Sequence, residues 1–237
     1  MNAINLFHSA HPDMALELNV TRYPYSFIGN DKPKKERSTW HEGLLRYCNN
    51  DPDVRDQAEI GMSKLGKDVG IKFDFMVESM YPPVNAQRLL LWAGRFGLQE
   101  PFMTAINKRH FEQRECLGDR PILMSAVEEV GLDVAAAEAF LDTDELVDTV
   151  RHWYDATIHQ KGIHSIPLFC FHVPTIDAGG GPFRKRGSGG EAYIINGSMH
   201  DDYFLQLFEV ILRDVEAGKR VYDQQAAPYA RGMRALF

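Results

Sequence analysis

Apolar and polar positions first alternate cleanly between Ala15 and Tyr23 (ALELNVTRY), where Leu16, Leu18 and Val20 are interleaved with Glu17, Asn19 and Thr21. A period of two is that of a strand with one buried face. Pro24 limits how far such a strand can run inside a sheet, because it brings no N–H to a ladder. Downstream the period lengthens. Residues 39–47 and 53–66 read as helices; in the second, Val54, Ala58, Ile60, Met62 and Leu65 form an imperfect stripe, and Gly66 stands where a helix C-cap belongs. Gly70 to Phe75 gives a short extended piece, and Tyr81-Pro82-Pro83 breaks the backbone ahead of the next helix.

From Asn85 to Gln160 the pattern is helical throughout. Asn85 can cap AQRLLLWAGRF, which Gly97 ends; Phe102, Ile106, His110 and Phe111 mark a second helix; Asp119-Arg120-Pro121 opens a third. Asp133 can cap VAAAEAFL, and Asp142 with Glu145 resembles a capping box ahead of Leu146, Val147, Val150, Tyr154 and Ile158. After Gly162 the period changes again. Pro167 to Val173 (PLFCFHV) reads as a buried strand, and Glu191 to Ile195 as a second, ended by Asn196-Gly197. Asp202 then caps a helix carrying Phe204, Leu205, Leu207, Phe208, Ile211, Leu212 and Val215, closed by Gly218.

Length and charge narrow the classes. At 237 residues with 44% hydrophobic positions, the chain can bury a core as one large domain or two small ones. Its net charge of −7 repels phosphate and anionic lipid, which argues against nucleic acid and membrane as partners. The Lys-rich stretch from Asp31 to Arg37 reads as a solvated loop. Met1 to Asp13 lacks a basic segment followed by an apolar run, so no secretory signal is expected there. The three cysteines, Cys48, Cys116 and Cys170, lie 68 and 54 positions apart, which leaves no CxxC and no zinc-ligand spacing. So sparse a set suits a reducing compartment, and a cytoplasmic location is expected. His152 and His159 could share a helix face, but no carboxylate completes a ligand set, and no metal is expected.

The order strand, helical insert, strand, long connection, strand, helix carries a resemblance. YPPVNAQRLLLWAGRFGLQEPF and FLDTDELVDTVRHWYDATIHQKGIHSIPLFCF resemble the FrnE-like branch of the DsbA family. Gly162-Ile163-His164-Ser165-Ile166-Pro167-Leu168-Phe169 matches the family's strand pattern, with Ser165 for the usual Gly and Leu168 for the first Phe. The resemblance implies an α/β, thioredoxin-like fold with an inserted all-helical domain. Residues 1–84 and 161–237 then form the thioredoxin-like domain, and 85–160 the insert. It also implies a cis bond before Pro167, which turns the Ile166 backbone outward so that its N–H and C=O can pair with an extended substrate. Ser165, Ile166 and Pro167 are the substrate-binding residues it assigns.

Family members that exchange disulfides carry a CxxC between the first strand and the first helix, where the helix N-terminus lowers the thiol pKa. Nothing here matches it, so no catalytic residue is assigned. The strand at Ala15 to Tyr23 aligns with the family's second strand, and only fourteen residues precede it, with Leu6, Phe7 and Ala10 at the spacing of a helix end. In the thioredoxin fold the first strand lies between the second and third, so its loss strips two ladders. Each buried backbone group left unpaired costs about 1–3 kcal/mol. Three explanations follow: a longer natural chain supplies the strand, the second and third strands pair directly, or a partner chain provides it. The first is preferred here.

By resemblance, then, this is a DsbA-like thiol–disulfide oxidoreductase family member unable to run dithiol exchange as it stands, because a mixed disulfide needs a resolving thiol. Its implied partners are peptide or protein thiols and disulfides, and it leaves room for a homodimer. Two alternatives stay open. One is a glutathione-dependent enzyme like the kappa-class transferases and 2-hydroxychromene-2-carboxylate isomerases, the only reading that brings in a cofactor, glutathione. The other is a non-catalytic interaction protein, in which Arg184, Lys185 and Arg186 of the Gly-rich loop could meet an acidic partner.

Overall fold

The computed structural model describes residues 2–26, 37–79, 83–156, 163, 166–173, 193–222 and 233–236. In chain order the elements are α1 (Asn2–Ala10), β1 (Leu18–Thr21), β2 (Ser38–Thr39), α2 (Trp40–Tyr47), α3 (Pro52–Asp68), β3 (Glu78–Ser79) and α4 (Val84–Gly94). There follow α5 (Gln99–Gln113), α6 (Arg120–Glu129), α7 (Val134–Leu141), α8 (Val147–Asp155), β4 (Leu168–His172), β5 (Tyr193–Asn196), α9 (Asp201–Tyr222) and β6 (Met233–Leu236). Residues 81–82, most of the stretch from Asp31 to Arg37, Ile158, His159, Ser165 and the loop from Pro174 to Gly190 lie outside the described residues.

Two compact units result: Met1–Tyr23 with Thr157–Phe237, and Pro24–Ala156. In the first, a four-stranded sheet has the order β1-β6-β4-β5. β6 runs parallel to β1 and antiparallel to β4, and β5 is antiparallel to β4. One face of the sheet is apolar because alternate residues of a strand share a side. There Phe171, Tyr193 and Ile195 bury themselves with Ala3 and Phe7 of α1 and Leu207, Phe208 and Ile211 of α9. Phe7 and Phe208 meet edge to face at 6.0 Å, and His11 is hydrogen-bonded to Glu209 at 2.6 Å beside them.

β6 changes the account of the missing strand. The second and third strands of the expected fold, β1 and β4, do not pair with each other; Met233–Leu236 stands between them. Direct pairing is therefore ruled out, and the slot is filled by this chain's own residues. The alternation that marks β1 and β4 gave no hint of it, since four residues with an arginine among them carry no readable period.

The second unit is helical. α4 lies against α5, α7 and α8, and its Leu89, Leu90 and Ala93 are buried with Phe102, Ile106, Leu123, Val127 and Phe140. Residues 24–84 fall in this unit, whereas the sequence placed them with the sheet domain. Aromatic packing is the physical reason: Trp40, Phe73 and Phe75 form a cluster with Phe111 of α5, Trp40 and Phe111 being 5.3 Å apart and Phe73 and Phe111 5.6 Å. The Asp74 N–H is absent from any strand ladder and donates to the Phe111 carbonyl at 2.7 Å. The extended piece expected over 70–75 is accordingly not a strand; the two-residue β3 follows it and pairs with β2.

Caps place several helix starts. Asp51 accepts from the N–H groups of Asp53 and Val54, and Asp133 from that of Ala136. Thr39 and Glu42 close a reciprocal capping box on α2. Three expectations about helix ends are corrected. Gly66 does not end α3, which runs to Asp68; it is glycine because a Cβ there would meet the Ile71 carbonyl at 2.7 Å and the Phe73 ring at 2.8 Å. Asp142 and Glu145 do not start α8, which begins at Val147 after Leu146 takes a left-handed φ of 63°. The preceding turn is instead held from outside by Arg88, whose guanidinium donates to the carbonyls of Phe140, Thr143 and Glu145. α9 also continues past Gly218 to Tyr222.

Candidate functional site

β4 is a central strand. Its Cys170 pairs with Ile194 of β5 on one side and Leu236 of β6 on the other. Just ahead of it, the Ile166–Pro167 peptide bond is cis. Ile166 is 45% exposed. The Pro167 carbonyl accepts the Gly197 N–H at 2.8 Å, which anchors the start of β4 to the end of β5. Gly197 adopts a φ of 96°, where a residue with a Cβ is strained. Pairing with β5 begins at Leu168, and among the described residues nothing pairs with the backbone of Ile166. Ile166 and Pro167 thus form a short accessible segment leading into the sheet strand β4. Ser165, the third expected site residue, lies outside the described residues.

None of Cys48, Cys116 and Cys170 is in a disulfide. Cys170 is three residues beyond Pro167, and an odd separation along a strand puts the two side chains on opposite faces. Phe169 and Phe171 face the helix-packed core, so Cys170 is on the other side of the sheet, where it is partly buried. Cys48 is the C-cap of α2, and its N–H donates to the Leu44 carbonyl at 2.8 Å. Both Cys48 and Cys116 belong to the helical unit.

Cys116 is buried beside a cavity of about 350 Å³ that Arg37, Met76, Glu78, Arg114 and Asp119 also line. Arg37 forms a two-pronged pair with Asp119, which together with the Cys116 sulfur raises its pKa. Nearby in the same unit, His110 is within 3.5 Å of the Ser79 hydroxyl and 3.3 Å of the Glu115 carbonyl, and burial pushes its pKa down. Sequence spacing could not find this group, since Arg37, Ser79, His110 and Asp119 come from four separate elements or loops. In the sheet unit, Tyr193 donates to Asp214 at 2.7 Å; burial, and then the carboxylate, push its pKa up.

A cis proline opening a central strand, a sheet packed on helices, and a helical unit inserted in sequence between β1 and β4 together define a thioredoxin-like protein of the inserted-helix kind. The model of the DSBA-like thioredoxin domain matches residues 21–171, and the chain belongs to that family. A Bacillus subtilis (strain 168) relative, the uncharacterized protein YwbO, is 24% identical over 121 residues, which is 51% of this chain. The match spans 60% of that relative's length. The crystal structure of a probable DsbA oxidoreductase from Streptomyces coelicolor superposes with a TM-score of 0.60 at 16% identity, over 88% of this chain and 76% of the other. That likeness concerns the fold. Among the described residues no helix is long and apolar enough to cross a membrane.

Proposed function

We infer that this DsbA-like chain binds an extended thiol- or disulfide-bearing peptide along Ile166 and Pro167 and does not itself turn over disulfides by dithiol exchange. The observation that carries the reading is the exposed Ile166 just ahead of a strand whose residues are already paired. An incoming extended chain can donate to the Ile166 carbonyl and accept from its N–H, the mode in which a peptide adds to a sheet. Rigidity matters as much as access: the Gly197 to Pro167 hydrogen bond fixes the strand before the peptide arrives, so little ordering cost remains at binding.

Chemistry is the part the chain's own thiols do not support. Dithiol exchange needs an attacking thiolate and a resolving thiol within reach of one another. Cys170 points away from the Pro167 side of the sheet, and the other two thiols belong to the helical unit. Three cysteines outside any disulfide also suit a reducing, cytoplasmic setting.

The test pairs a binding and a turnover measurement on the full chain. A fluorescent peptide carrying an S-alkylated cysteine should bind, and Ile166→Pro, which removes one donor that has no hydrogen-bond partner among the described residues, should weaken it about fivefold. Insulin reduction should not exceed that of a variant lacking all three cysteines. Turnover above that control, or peptide affinity indifferent to Ile166→Pro, would defeat the reading. Retention on immobilised glutathione would favour the glutathione-dependent alternative.

A further inference from the structure

The β4–β5 ladder ends with Leu168 opposite Asn196, and the chain then turns through residues 197–200 into α9. Gly197 makes the last link across, its N–H bonded to the Pro167 carbonyl at 2.8 Å. Having no side chain, Gly197 leaves ground that Met199 takes: the Met199 methyl group lies 3.7 Å from where a Cβ on Gly197 would stand. Met199 is nonetheless 42% exposed, close to the 45% of Ile166. A flexible thioether thus lies open to water against the residue that anchors Pro167. Among the described residues of the sheet unit, the exposed large hydrophobic side chains are Leu6, Ile166, Met199 and Tyr203. Leu6 is on α1, whereas Ile166 and Met199 stand at one end of the ladder and Tyr203 follows in the first turn of α9. Exposed apolar residues scattered singly need no explanation; a group at one end of a sheet does.

We propose that Met199 is an oxidation switch on this site, conversion of its thioether to the sulfoxide weakening the binding of a peptide at Ile166 and Pro167. The switch rests on the peptide-binding reading given above. In that reading an extended peptide paired with the Ile166 backbone runs beside Met199, and the unbranched, polarizable thioether shapes itself to the peptide's side chains. Oxidation removes that apolar, adaptable contact and leaves a polar, chiral group in its place.

Hydrogen peroxide is the oxidant. A sulfur lone pair attacks one peroxide oxygen, and the S–O bond forms as the O–O bond breaks. The departing hydroxide takes the proton of the transferred oxygen and leaves as water, so sulfur is oxidised by two electrons and peroxide is reduced by the same two. Methionine sulfoxide reductases reverse the change, which makes it a switch rather than a lesion. Exposure selects the sulfurs that react. Met124 is only 7% exposed, whereas Met76 of the helical unit, at 47%, should oxidise alongside Met199 and serves as the control.

The test measures binding of the S-alkylated fluorescent peptide to the full chain before and after dilute hydrogen peroxide, with each sulfoxide located by mass spectrometry. Oxidation should weaken binding about fivefold, and a methionine sulfoxide reductase with its thiol reductant should restore it. Met199→Leu, apolar but without sulfur, should hold whatever affinity it starts from through the same treatment. Met76→Leu should lose affinity as the wild type does, and Met199→Gln should bind weakly without any peroxide. Met199 left unoxidised while Met76 reacts, affinity that survives oxidation of Met199, or an equal fall in Met199→Leu would overturn the switch and leave the peptide-binding reading in place. No binding by the untreated protein would defeat that reading, and the switch with it.

Discussion

Cys170 and Leu236 are register partners across the antiparallel ladder of β4 and β6, though they lie far apart in the sequence. On its other side Leu236 pairs with Thr21 of β1. That double pairing closes the middle of the sheet, the place the thioredoxin fold gives to its first strand. Without it, β1 and β4 would each present an unpaired row of N–H and C=O groups beside a packed core, at about 1–3 kcal/mol for every group buried without a partner. β6 therefore links two questions that the sequence raised separately: how the sheet is completed, and what stands beside the strand that carries Pro167.

Arg88 of the helical unit is only 3% exposed. It donates to the Glu145 carbonyl at 2.8 Å, the Thr143 carbonyl at 2.5 Å and the Asn85 side chain at 3.0 Å. Its guanidinium carbon also sits 4.9 Å from the Phe140 ring centre. Arg88→Met leaves those carbonyls without their donor and should cost about 3–5 kcal/mol in urea unfolding. Arg88→Lys should recover little of this, because an ammonium cannot fork between several carbonyls. A loss below about 1 kcal/mol for Arg88→Met would show that the 140–146 turn is held by something else.

His110 sets an acid limit on the same unit. Burial lowers its pKa in the folded state, so on acidification the unfolded chain takes up a proton before the folded one does. The stabilisation is complete above the ordinary histidine value of about 6.5 and is lost as pH falls from there through the lower folded value. Chemical unfolding midpoints should therefore drop as pH falls below about 6.5, and His110→Gln should flatten that slope relative to the wild type. Parallel slopes for the two proteins would remove His110 from the explanation.

Legibility in the sequence followed the range of the forces involved. Local chemistry was readable: the alternation at Leu16 to Val20, the Asp133 cap, and the Pro167 strand with its family pattern all rest on neighbours within a turn or a strand. The missed features are long-range. Gly66 looks like a stop signal until Phe73 is folded against it. The start of α8 depends on Arg88, more than fifty positions earlier. Trp40, Phe73 and Phe75 join the helices because Phe111 is there to receive them. β6 is the extreme case, a four-residue strand whose identity comes from the gap it enters. For the candidate site, the backbone at Ile166 and Pro167 was legible through the resemblance, whereas the group around Arg37, Cys116 and Asp119 needed the fold to assemble it.

Amide hydrogen exchange on the full chain, read by mass spectrometry over peptides covering 168–172 and 233–236, tests most directly whether β6 completes the sheet that carries the binding strand. Both segments should be protected and should open together under increasing denaturant, as two strands of one ladder must. Exchange of 233–236 at the rate of an unstructured peptide, while 168–172 stays protected, would contradict the account.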